Sequence, residues 1–364
     1  MNKRVLLLGG TGAMGNHLAD DLRKNGESVV VTTRSSRKSN DEIRYLQGNA
    51  HDIDFLKRII KEEDYECIVD FMSYSTKEFR ERRDLLLNAT EQYVFLSSSR
   101  VYAESKTPLQ ETSARLLDCC TDKQYLKTDE YALAKARQEN LLFESKTKNW
   151  TIIRPYITYS NIRLQLGVYE KEKWLYRALN GRPIVFSKDV ASKSTSLTYG
   201  GDVARVMTKL IGNKKATGEA FHIVSPENIR WNDVLNIYVD ALTEIRGTRP
   251  IVELTESAIV PEEAKYQYQY DRLFNRTFDS GKVEKVIGEV PTYIKPKEGL
   301  TRCVREFILE FESFRTIDWR MEAAFDRRTA SRTSVSEIQG KRDRLRYLGY
   351  RYAPTIMNVI KSMV

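Results

Sequence analysis

A glycine-rich turn near the start of the sequence constrains the fold of this chain more than any other feature. Gly9, Gly12 and Gly15 follow an apolar run over residues 5–8 and precede an amphipathic stretch. In a strand–turn–helix unit, such glycines allow the tight turn, the close approach of the backbone to a pyrophosphate, and the packing of helix on strand. Backbone N–H groups and the helix dipole then face the phosphates. The turn therefore predicts a dinucleotide-binding βαβ unit whose contacts to the cofactor are Gly9, Thr11, Gly12, Ala13, Met14 and Gly15.

Short apolar runs alternate with amphipathic stretches over the first 160 residues, which is typical of βαβ units and a parallel sheet. The runs carry few charges, as expected of strands that are covered on both faces. The predicted fold class is therefore α/β, with a Rossmann-type doubly wound parallel sheet. Strands are predicted at 4–8, 28–32, 43–47, 67–71, 93–97, 151–153 and 220–224, and helices at 17–25, 54–62, 78–90, 174–180 and 231–242.

Composition narrows the functional classes. No stretch approaches the roughly 18 apolar residues of a membrane span, and the first apolar run is too short for a signal peptide. The four cysteines form no CxxC pair, so free thiols in a reducing cytoplasm are the simplest interpretation. The three histidines are scattered along the chain, so we expect no metal site. These observations predict a cytoplasmic protein without a membrane partner.

The segment after the second predicted strand selects the cofactor. Arg34, Ser35 and Arg37 stand where NAD-binding proteins usually place an acid, and the first acid is Asp41. A basic cluster suits a ribose 2′-phosphate, so the sequence favours NADP(H), with NAD(H) as the alternative. Further cofactor contacts are predicted near the carboxyl ends of later strands, at Asp52 and Ile53 for the adenine ring and at Phe71, Met72, Ser73 and Pro155.

A Tyr–Lys pair carries the candidate chemistry. Tyr131 and Lys135 are four residues apart in a helical stretch and so share one helix face. Ser98 follows a predicted strand at its carboxyl end, where open α/β sheets bind ligands. The ammonium of Lys135 favours the phenolate form of Tyr131, which exchanges a proton with a carbonyl oxygen that the Ser98 hydroxyl polarises. Ser98, Tyr131 and Lys135 are the predicted catalytic residues, and Tyr131 and Lys135 also count among the predicted cofactor contacts.

These motifs follow one another as in the extended short-chain dehydrogenase/reductases, which the chain resembles over about residues 3–312. The resemblance is carried by residues 9–15, 97–102, 131–135 and 154–155, and by later segments at 199–204 and 278–282. It implies that Ser98, Tyr131 and Lys135 act on a nucleotide-linked sugar, bound between a Rossmann domain and a smaller C-terminal substrate-binding part. Family members often dimerise through the Tyr–Lys helix, so a homodimer is expected. The expected boundaries are 1–160 for the NAD(P)-binding domain, its sheet completed by about 195–225, and 161–194 with 226–312 for the substrate-binding part.

The residues after Ser98 narrow the reaction that the resemblance implies. The family's 4,6-dehydratases carry an Asp–Glu pair where this chain has Ser99 and Arg100. Its sugar-acid decarboxylases tend to carry Glu, and its fucose-synthase-type enzymes Cys, at the position of Arg100. Hydride transfer at one carbinol carbon is the chemistry that remains, and a 4-keto reductase or a 4-epimerase would carry it out. The basic cluster at Arg34 favours the 4-keto reductase, because NADPH drives reduction, and a 4-epimerase that uses bound NAD is the alternative.

The substrate contacts are predicted from single positions and not from complete motifs. Arg100 either binds an anionic group of the substrate or pairs with a nearby carboxylate. Ile157 stands where the family often has an Asn that contacts substrate phosphate. The predicted substrate contacts are Ser99, Arg100, Arg272 and Arg276.

A basic extension at 313–364 has no counterpart in typical family members. Eleven Lys or Arg and five Asp or Glu lie between residues 315 and 364. Its aromatic and aliphatic residues predict that it packs on the parent domain or in a subunit contact, and we do not expect nucleic acid as a partner. A non-catalytic RNA-binding or regulatory protein on the same fold is the remaining alternative. We do not favour it, because such proteins typically lose the Tyr or the Lys of the pair.

Overall fold

The chain forms two compact units, each built from several segments. A computed structural model describes residues 3–39, 42–311 and 313–363, apart from the side chains of residues 311 and 360–363. Asp41 therefore lies outside the described residues. The first unit comprises Met1–Ile162, Thr195–Asn228 and Asn275–Gly299, and the second comprises Arg163–Ser194, Ile229–Phe274 and Leu300–Val364.

The strands and helices alternate in the N-terminal half as predicted, with ends that differ from the predicted ones by up to three residues. The strands are β1 (Arg4–Leu8), β2 (Ser28–Thr33), β3 (Ile43–Gln47), β4 (Tyr65–Asp70), β5 (Thr90–Leu96), β6 (Trp150–Pro155), β7 (Thr158–Tyr159), β8 (Gln165–Leu166), β9 (Tyr169–Glu170), β10 (Ile184–Ser187), β11 (Ser194–Thr195), β12 (Thr198–Tyr199), β13 (Glu219–Ile223), β14 (Ile229–Arg230) and β15 (Val252–Thr255). The α-helices are α1 (Gly15–Lys24), α2 (Ile53–Glu62), α3 (Thr76–Asn88), α4 (Leu116–Cys119), α5 (Lys123–Leu126), α6 (Tyr131–Phe143), α7 (Lys171–Leu179), α8 (Lys188–Ala191), α9 (Gly200–Leu210), α10 (Trp231–Arg246), α11 (Lys265–Gln267), α12 (Gly281–Ile287), α13 (Pro296–Glu306), α14 (Trp319–Thr329), α15 (Lys341–Tyr352) and α16 (Pro354–Met363).

A parallel sheet forms the centre of the first unit. Its strand order is β13-β6-β5-β4-β1-β2-β3, and every pairing in it is parallel. Strands with a common direction end at the same edge, so the residues that follow β1, β4, β5 and β6 meet there. The order reverses beside β1, which is where doubly wound sheets open a crevice for ligands.

The two faces of this sheet are covered by different helices. Alternate residues of β1 point to opposite faces: Val5 and Leu7 pack with apolar residues of α1 and α9. Leu6 and Leu8 pack with apolar residues of α2 and α3. A strand buried on both faces needs apolar residues at successive positions, which is why the runs in the sequence are nearly continuous. The predicted doubly wound α/β fold is confirmed.

The second unit contains the basic extension. Trp319, Ala323, Ile338, Tyr347 and Tyr350 form a buried apolar cluster across α14, α15 and the segment between them. Tyr176 on α7 packs against this cluster, so the extension is joined to the rest of its unit by apolar contact. In the described ranges, no helix is both long enough and apolar enough to cross a membrane.

Candidate active site

The glycine-rich turn lies between β1 and α1 and has the geometry of a phosphate-binding turn. Gly9 adopts a left-handed backbone conformation (φ 67°), and its N–H donates to the Thr32 hydroxyl at 2.9 Å. A Cβ on Gly15 would lie 2.5 Å from the Gly10 carbonyl oxygen, whereas a Cβ on Gly12 would meet no heavy atom within 4 Å. Gly15 therefore allows the helix to approach the turn, and Gly12 leaves open space above it.

The first turn of α1 is available to an anion. Among the described residues, α1 receives no side-chain cap, since the residue at its N-cap is Met14. The positive end of the helix dipole is then not offset by a capping side chain and can face a ligand. This feature and the open space at Gly12 fit the pyrophosphate of a dinucleotide.

The basic cluster predicted to select the cofactor follows β2. Arg34, Ser35 and Arg37 are all exposed. The Arg37 guanidinium donates to the side-chain oxygen of Asn16, on the first turn of α1, at 3.5 Å. A cationic side chain therefore lies next to the predicted pyrophosphate site.

The two predicted adenine contacts lie at the start of α2. The Asp52 carboxylate caps this helix by accepting from the N–H groups of Asp54 at 2.9 Å and Phe55 at 3.4 Å. Ile53 is partly exposed as the first residue of the helix. The structure thus gives Asp52 a local role as a helix cap, and the adenine contact stays a prediction.

Met72 joins the glycine turn to the Tyr–Lys helix. The ammonium of Lys135 donates to the Met72 carbonyl oxygen at 3.1 Å. A Cβ on Gly9 would lie 2.6 Å from the sulfur of Met72. Phe71, Met72 and Ser73 directly follow β4. Met72 therefore lies next to both the glycine turn after β1 and the predicted catalytic residue Lys135.

Asp70 is a functional candidate that the sequence reasoning missed. Its buried carboxylate accepts from the Tyr93 hydroxyl at 2.8 Å and from the Met72 N–H at 2.9 Å. Burial raises the pKa of Asp70, an effect that the hydrogen bonds and the nearby Lys135 oppose. Burial lowers the pKa of Lys135 to about 8, against the attraction of Asp70 and Glu139. The sequence did contain a signal for this residue, since Asp70 is an acid at the end of an otherwise apolar run.

Tyr131 begins α6 and is 38% exposed, while Lys135 one turn later is buried. The Arg100 guanidinium lies over the Tyr131 ring, 5.2 Å from its centre, and forms an ion pair with Glu130. Of the two readings of Arg100, pairing with a nearby carboxylate is therefore present in the structure. Ser98 is buried just after β5, and its hydroxyl oxygen accepts from the Arg100 N–H at 3.2 Å.

Two other predicted substrate contacts of the first unit are held by backbone carbonyls. The Ser99 hydroxyl donates to the Arg154 carbonyl at 2.8 Å. The buried Arg276 guanidinium donates to the carbonyls of Ala103 at 2.8 Å and Tyr102 at 3.0 Å. These contacts orient both side chains within the protein, and their roles toward substrate stay predictions.

Arg272 lies in the second unit and is also buried. Its guanidinium donates to the Gly167 carbonyl at 2.8 Å and to the Gln165 side chain at 3.1 Å, and it pairs with Asp271. The contacts bring loop segments of that unit together. A structural role for Arg272 is visible, and the substrate contact is untested.

The segment after β6 is strained at a position where the family often has Asn. Pro155 ends β6, and Ile157 has a φ of 35°, which is unusual for a β-branched residue. Asn tolerates this conformation better, so the backbone shape itself is one reason for Asn at this position. Strain of this kind is concentrated at functional sites.

Comparison with known proteins identifies the family. The model of the NAD dependent epimerase/dehydratase family matches residues 5–224, which include the turn, Ser98, Tyr131 and Lys135. The chain belongs to this family. The resemblance to the extended short-chain dehydrogenase/reductases, the prediction of an enzyme of this type and the nicotinamide cofactor are thereby confirmed at the level of the family.

Individual relatives are distant. The chloroplast stem-loop binding protein of 41 kDa b from Arabidopsis thaliana is 27% identical over 246 residues, which cover 63% of this chain and 61% of that protein. The chain thus spans less than two thirds of that relative. The UDP-N-acetyl-alpha-D-glucosaminuronate decarboxylase of Bacillus cytotoxicus is 22% identical over 336 residues, or 84% of this chain and 98% of that enzyme.

Solved structures share the fold. The epimerase Mth375 from Methanothermobacter thermautotrophicus matches with a TM-score of 0.66 and 20% identity, over 85% of this chain and 94% of that one. At this level of identity the match concerns the fold alone.

Proposed function

We propose that this family member is an NAD(P)-dependent oxidoreductase that transfers one hydride at a carbinol carbon of a nucleotide-linked sugar. The observation that carries the proposal is the meeting of three features at the carboxyl edge of the sheet. The phosphate-binding turn touches Met72, Lys135 donates to Met72, and Tyr131 stands exposed one turn before Lys135. The glycine turn would then bind the pyrophosphate, and Tyr131 and Lys135 would lie close enough to act on a reacting carbonyl of the substrate.

The residues have distinct roles in this proposal. The bound nicotinamide supplies the hydride that adds to the carbonyl carbon. Tyr131 donates its hydroxyl proton to the carbonyl oxygen, and Ser98 donates a hydrogen bond to the same oxygen. Lys135, an ammonium one turn later on the same helix, stabilises the phenolate that remains. In the reverse direction Tyr131 is the base that accepts the hydroxyl proton of the sugar.

A 4-keto reductase is the form of this chemistry that we favour. Elimination of water in the family uses an Asp–Glu pair, and here the two positions hold Ser99, bonded to a backbone carbonyl, and Arg100, bonded to Glu130. Neither can act as a carboxylic acid or carboxylate. A 4-epimerase that retains NAD and transfers the hydride twice remains the alternative, since it needs the same groups.

NADP(H) is the proposed cofactor. Arg34 and Arg37 are exposed after β2, and Arg37 reaches the first turn of α1. Guanidinium groups bind phosphate through charge-assisted hydrogen bonds, which favours a cofactor with a 2′-phosphate.

The proposal is tested with purified protein, NADPH and a panel of UDP-, dTDP-, GDP- and CDP-linked sugars and 4-ketosugars. A nucleotide-sugar that binds the native state raises the melting temperature by mass action. Oxidation of NADPH by a ketosugar, followed at 340 nm, should fall about 100-fold or more in Tyr131→Phe, while the affinity for NADPH is retained. The matched control Tyr352→Phe changes an exposed tyrosine of α15 and should behave as the wild type.

Two results would contradict the proposal: wild-type turnover in Tyr131→Phe, or no stabilisation by any nucleotide-sugar of the panel. Native mass spectrometry, together with the assay at 340 nm, distinguishes the 4-keto reductase from the 4-epimerase. Co-purified NAD with interconversion of sugars but no net change at 340 nm would indicate the epimerase.

RNA binding is a second candidate because one relative is named as a stem-loop binding protein. The extension adds a basic segment of the kind that binds polyanions. An electrophoretic mobility shift with stem-loop RNA at about 0.15 M salt distinguishes the candidates. We expect no saturable shift, and saturable binding without turnover would favour this second function.

A further inference from the structure

An ion pair that the proposed reaction does not use lies next to Tyr131. The Arg100 guanidinium lies over the Tyr131 ring at 5.2 Å from its centre and pairs with Glu130, the residue before Tyr131. Glu130 also caps α6, because its carboxylate accepts from the Ala132 N–H at 2.8 Å. A cation therefore lies over the ring of Tyr131, and the carboxylate that pairs with this cation caps the helix that Tyr131 begins.

The segment that contains α5, between Ser98 and Tyr131, fixes the carboxylate of this pair. Tyr125 on α5 is fully buried, and its hydroxyl donates to Glu130 at 3.1 Å. Burial raises the pKa of Tyr125, and Glu130 adds to the effect, so the hydroxyl stays a donor. Arg137 on α6 holds the end of this segment by donating to the carbonyls of Leu126 and Thr128, both at 2.6 Å.

The guanidinium of Arg100 is oriented by few groups. Its side chain is 14% exposed, and among the described residues its Nε has no hydrogen-bond partner. Its position is thus set by Glu130 and by the face of the Tyr131 ring. An arginine held for structural reasons alone usually satisfies its donors when it is buried.

We propose that Arg100 and Glu130 are positioning residues that control, with opposite signs, how readily Tyr131 loses its proton. The inference rests on the proposed role of Tyr131 as acid and base. A cation over the ring favours the phenolate, and a carboxylate next to it disfavours the phenolate.

Other charged groups face the same place and are unchanged in the test. Lys135 lies on the same helix, and Asp70 lies beneath Lys135 at the end of β4. Arg276 interacts electrostatically with Arg100 and with Glu104. Asp129, the neighbour of Glu130, is paired with Arg137 at 3.1 Å.

The test follows the Tyr131 ring directly and needs no substrate. The full-length protein is labelled with ¹³Cζ-tyrosine, saturated with NADP⁺ and titrated with base by NMR, and the Tyr131 resonance is the one that Tyr131→Phe removes. The pH midpoint of this resonance should rise by about 1 unit in Arg100→Met and fall by about 1 unit in Glu130→Gln. Glu130→Gln keeps an oxygen that can cap α6, and Arg100→Lys should leave the midpoint near that of the wild type.

The signs of the two shifts decide the outcome. Shifts in the same direction, or midpoints that do not move, would overturn the inference, because a merely structural pair has no reason to act with opposite signs. If Arg100→Met does not fold, Arg100→Gln retains a planar group over the ring and carries the same expected sign. Failure of the proposed function is a separate result, since it appears as unchanged turnover in Tyr131→Phe whatever the midpoints do.

Discussion

The ammonium of Lys135 donates a hydrogen bond to the carbonyl of Met72 at 3.1 Å, at the end of β4 and beside the glycine turn. A buried ammonium is poorly solvated there, and burial lowers the pKa of Lys135 to about 8 from an ordinary 10.5. The lysine proposed to stabilise a phenolate is thus held where burial disfavours its charge. Function and stability are opposed at this residue.

This opposition gives a pH dependence of stability with a definite sign. Between about pH 8 and 10.5 the unfolded chain binds the Lys135 proton more tightly than the native state does, so stability rises with pH in this window. Relative to Lys135→Met, the wild-type free energy of unfolding should increase by about 2 kcal/mol from pH 7 to pH 9.5. Urea unfolding at a series of pH values measures it. Lys123→Met removes an exposed lysine, and its difference from the wild type should stay flat; a flat difference for Lys135→Met as well would refute the assignment.

The glycines of the turn should separate folding from cofactor binding. A Cβ on Gly15 would clash with the Gly10 carbonyl, so Gly15→Ala should lower stability by about 1–3 kcal/mol. A Cβ on Gly12 meets no neighbouring atom, so Gly12→Ala should fold normally. It should nevertheless weaken NADPH binding about tenfold or more, because the methyl group occupies the space that a pyrophosphate needs. Thermal unfolding and fluorescence titration with NADPH measure the two effects, and a stable Gly12→Ala with unchanged affinity would place the pyrophosphate elsewhere.

Local sequence patterns predicted the parts of the fold and site that depend on neighbouring residues. The turn glycines, the apolar strands and the four-residue spacing of Tyr131 and Lys135 are all features of this kind, and each lies in the predicted type of element. Strand ends were less accurate, since hydrogen bonding with adjacent strands decides where a strand such as Thr90–Leu96 begins.

Contacts between distant segments could not be read from such patterns. Asp70 interacts with Lys135 because the fold brings the residues that follow β4 to α6, where Lys135 donates to the Met72 carbonyl. Residues 275–299, expected in the substrate-binding part, lie in the first unit, where Leu109 and Phe278 form a bridge between their backbones. Arg276 was predicted as a substrate contact from its position in the family pattern. Its hydrogen bonds to the carbonyls of Tyr102 and Ala103 form only because residues 275–299 lie in the first unit.

Charge after β2 should set the preference between the two nicotinamide cofactors. Arg34→Asp replaces an exposed cation with an anion at the predicted 2′-phosphate site. The ratio of kcat/KM for NADPH to that for NADH should fall about 10- to 100-fold, as expected for the loss of a charge-assisted hydrogen bond. Lys77→Asp makes the same change of charge at an exposed position on α3 and serves as the control. Equal ratios in both variants would mean that Arg34 does not contact the cofactor.

A buried cluster of ion pairs should help to hold the basic extension against α7. Arg177 on α7 donates to Glu322 at 2.7 Å and to Asp326 at 2.9 Å, and the three side chains are at most 2% exposed. Arg177→Met would leave the buried Asp326 carboxylate without the Arg177 cation, while Glu322 keeps its pair with Arg182 at 3.0 Å, so it should lower the free energy of unfolding by about 3–5 kcal/mol. Arg328→Met, which removes an exposed pair with Glu253, should lower it by less than about 1 kcal/mol.

Neutralising the carboxylates identifies the physical cause. If uncompensated charge destabilises Arg177→Met, adding Glu322→Gln and Asp326→Asn should recover part of the loss, even though three polar groups have then been altered. If packing of the arginine stem is the cause, the triple variant should be no more stable than Arg177→Met. Urea unfolding of the single and triple variants at pH 7 distinguishes these results, because the carboxylates of the extension and the guanidinium of α7 belong to the same compact unit.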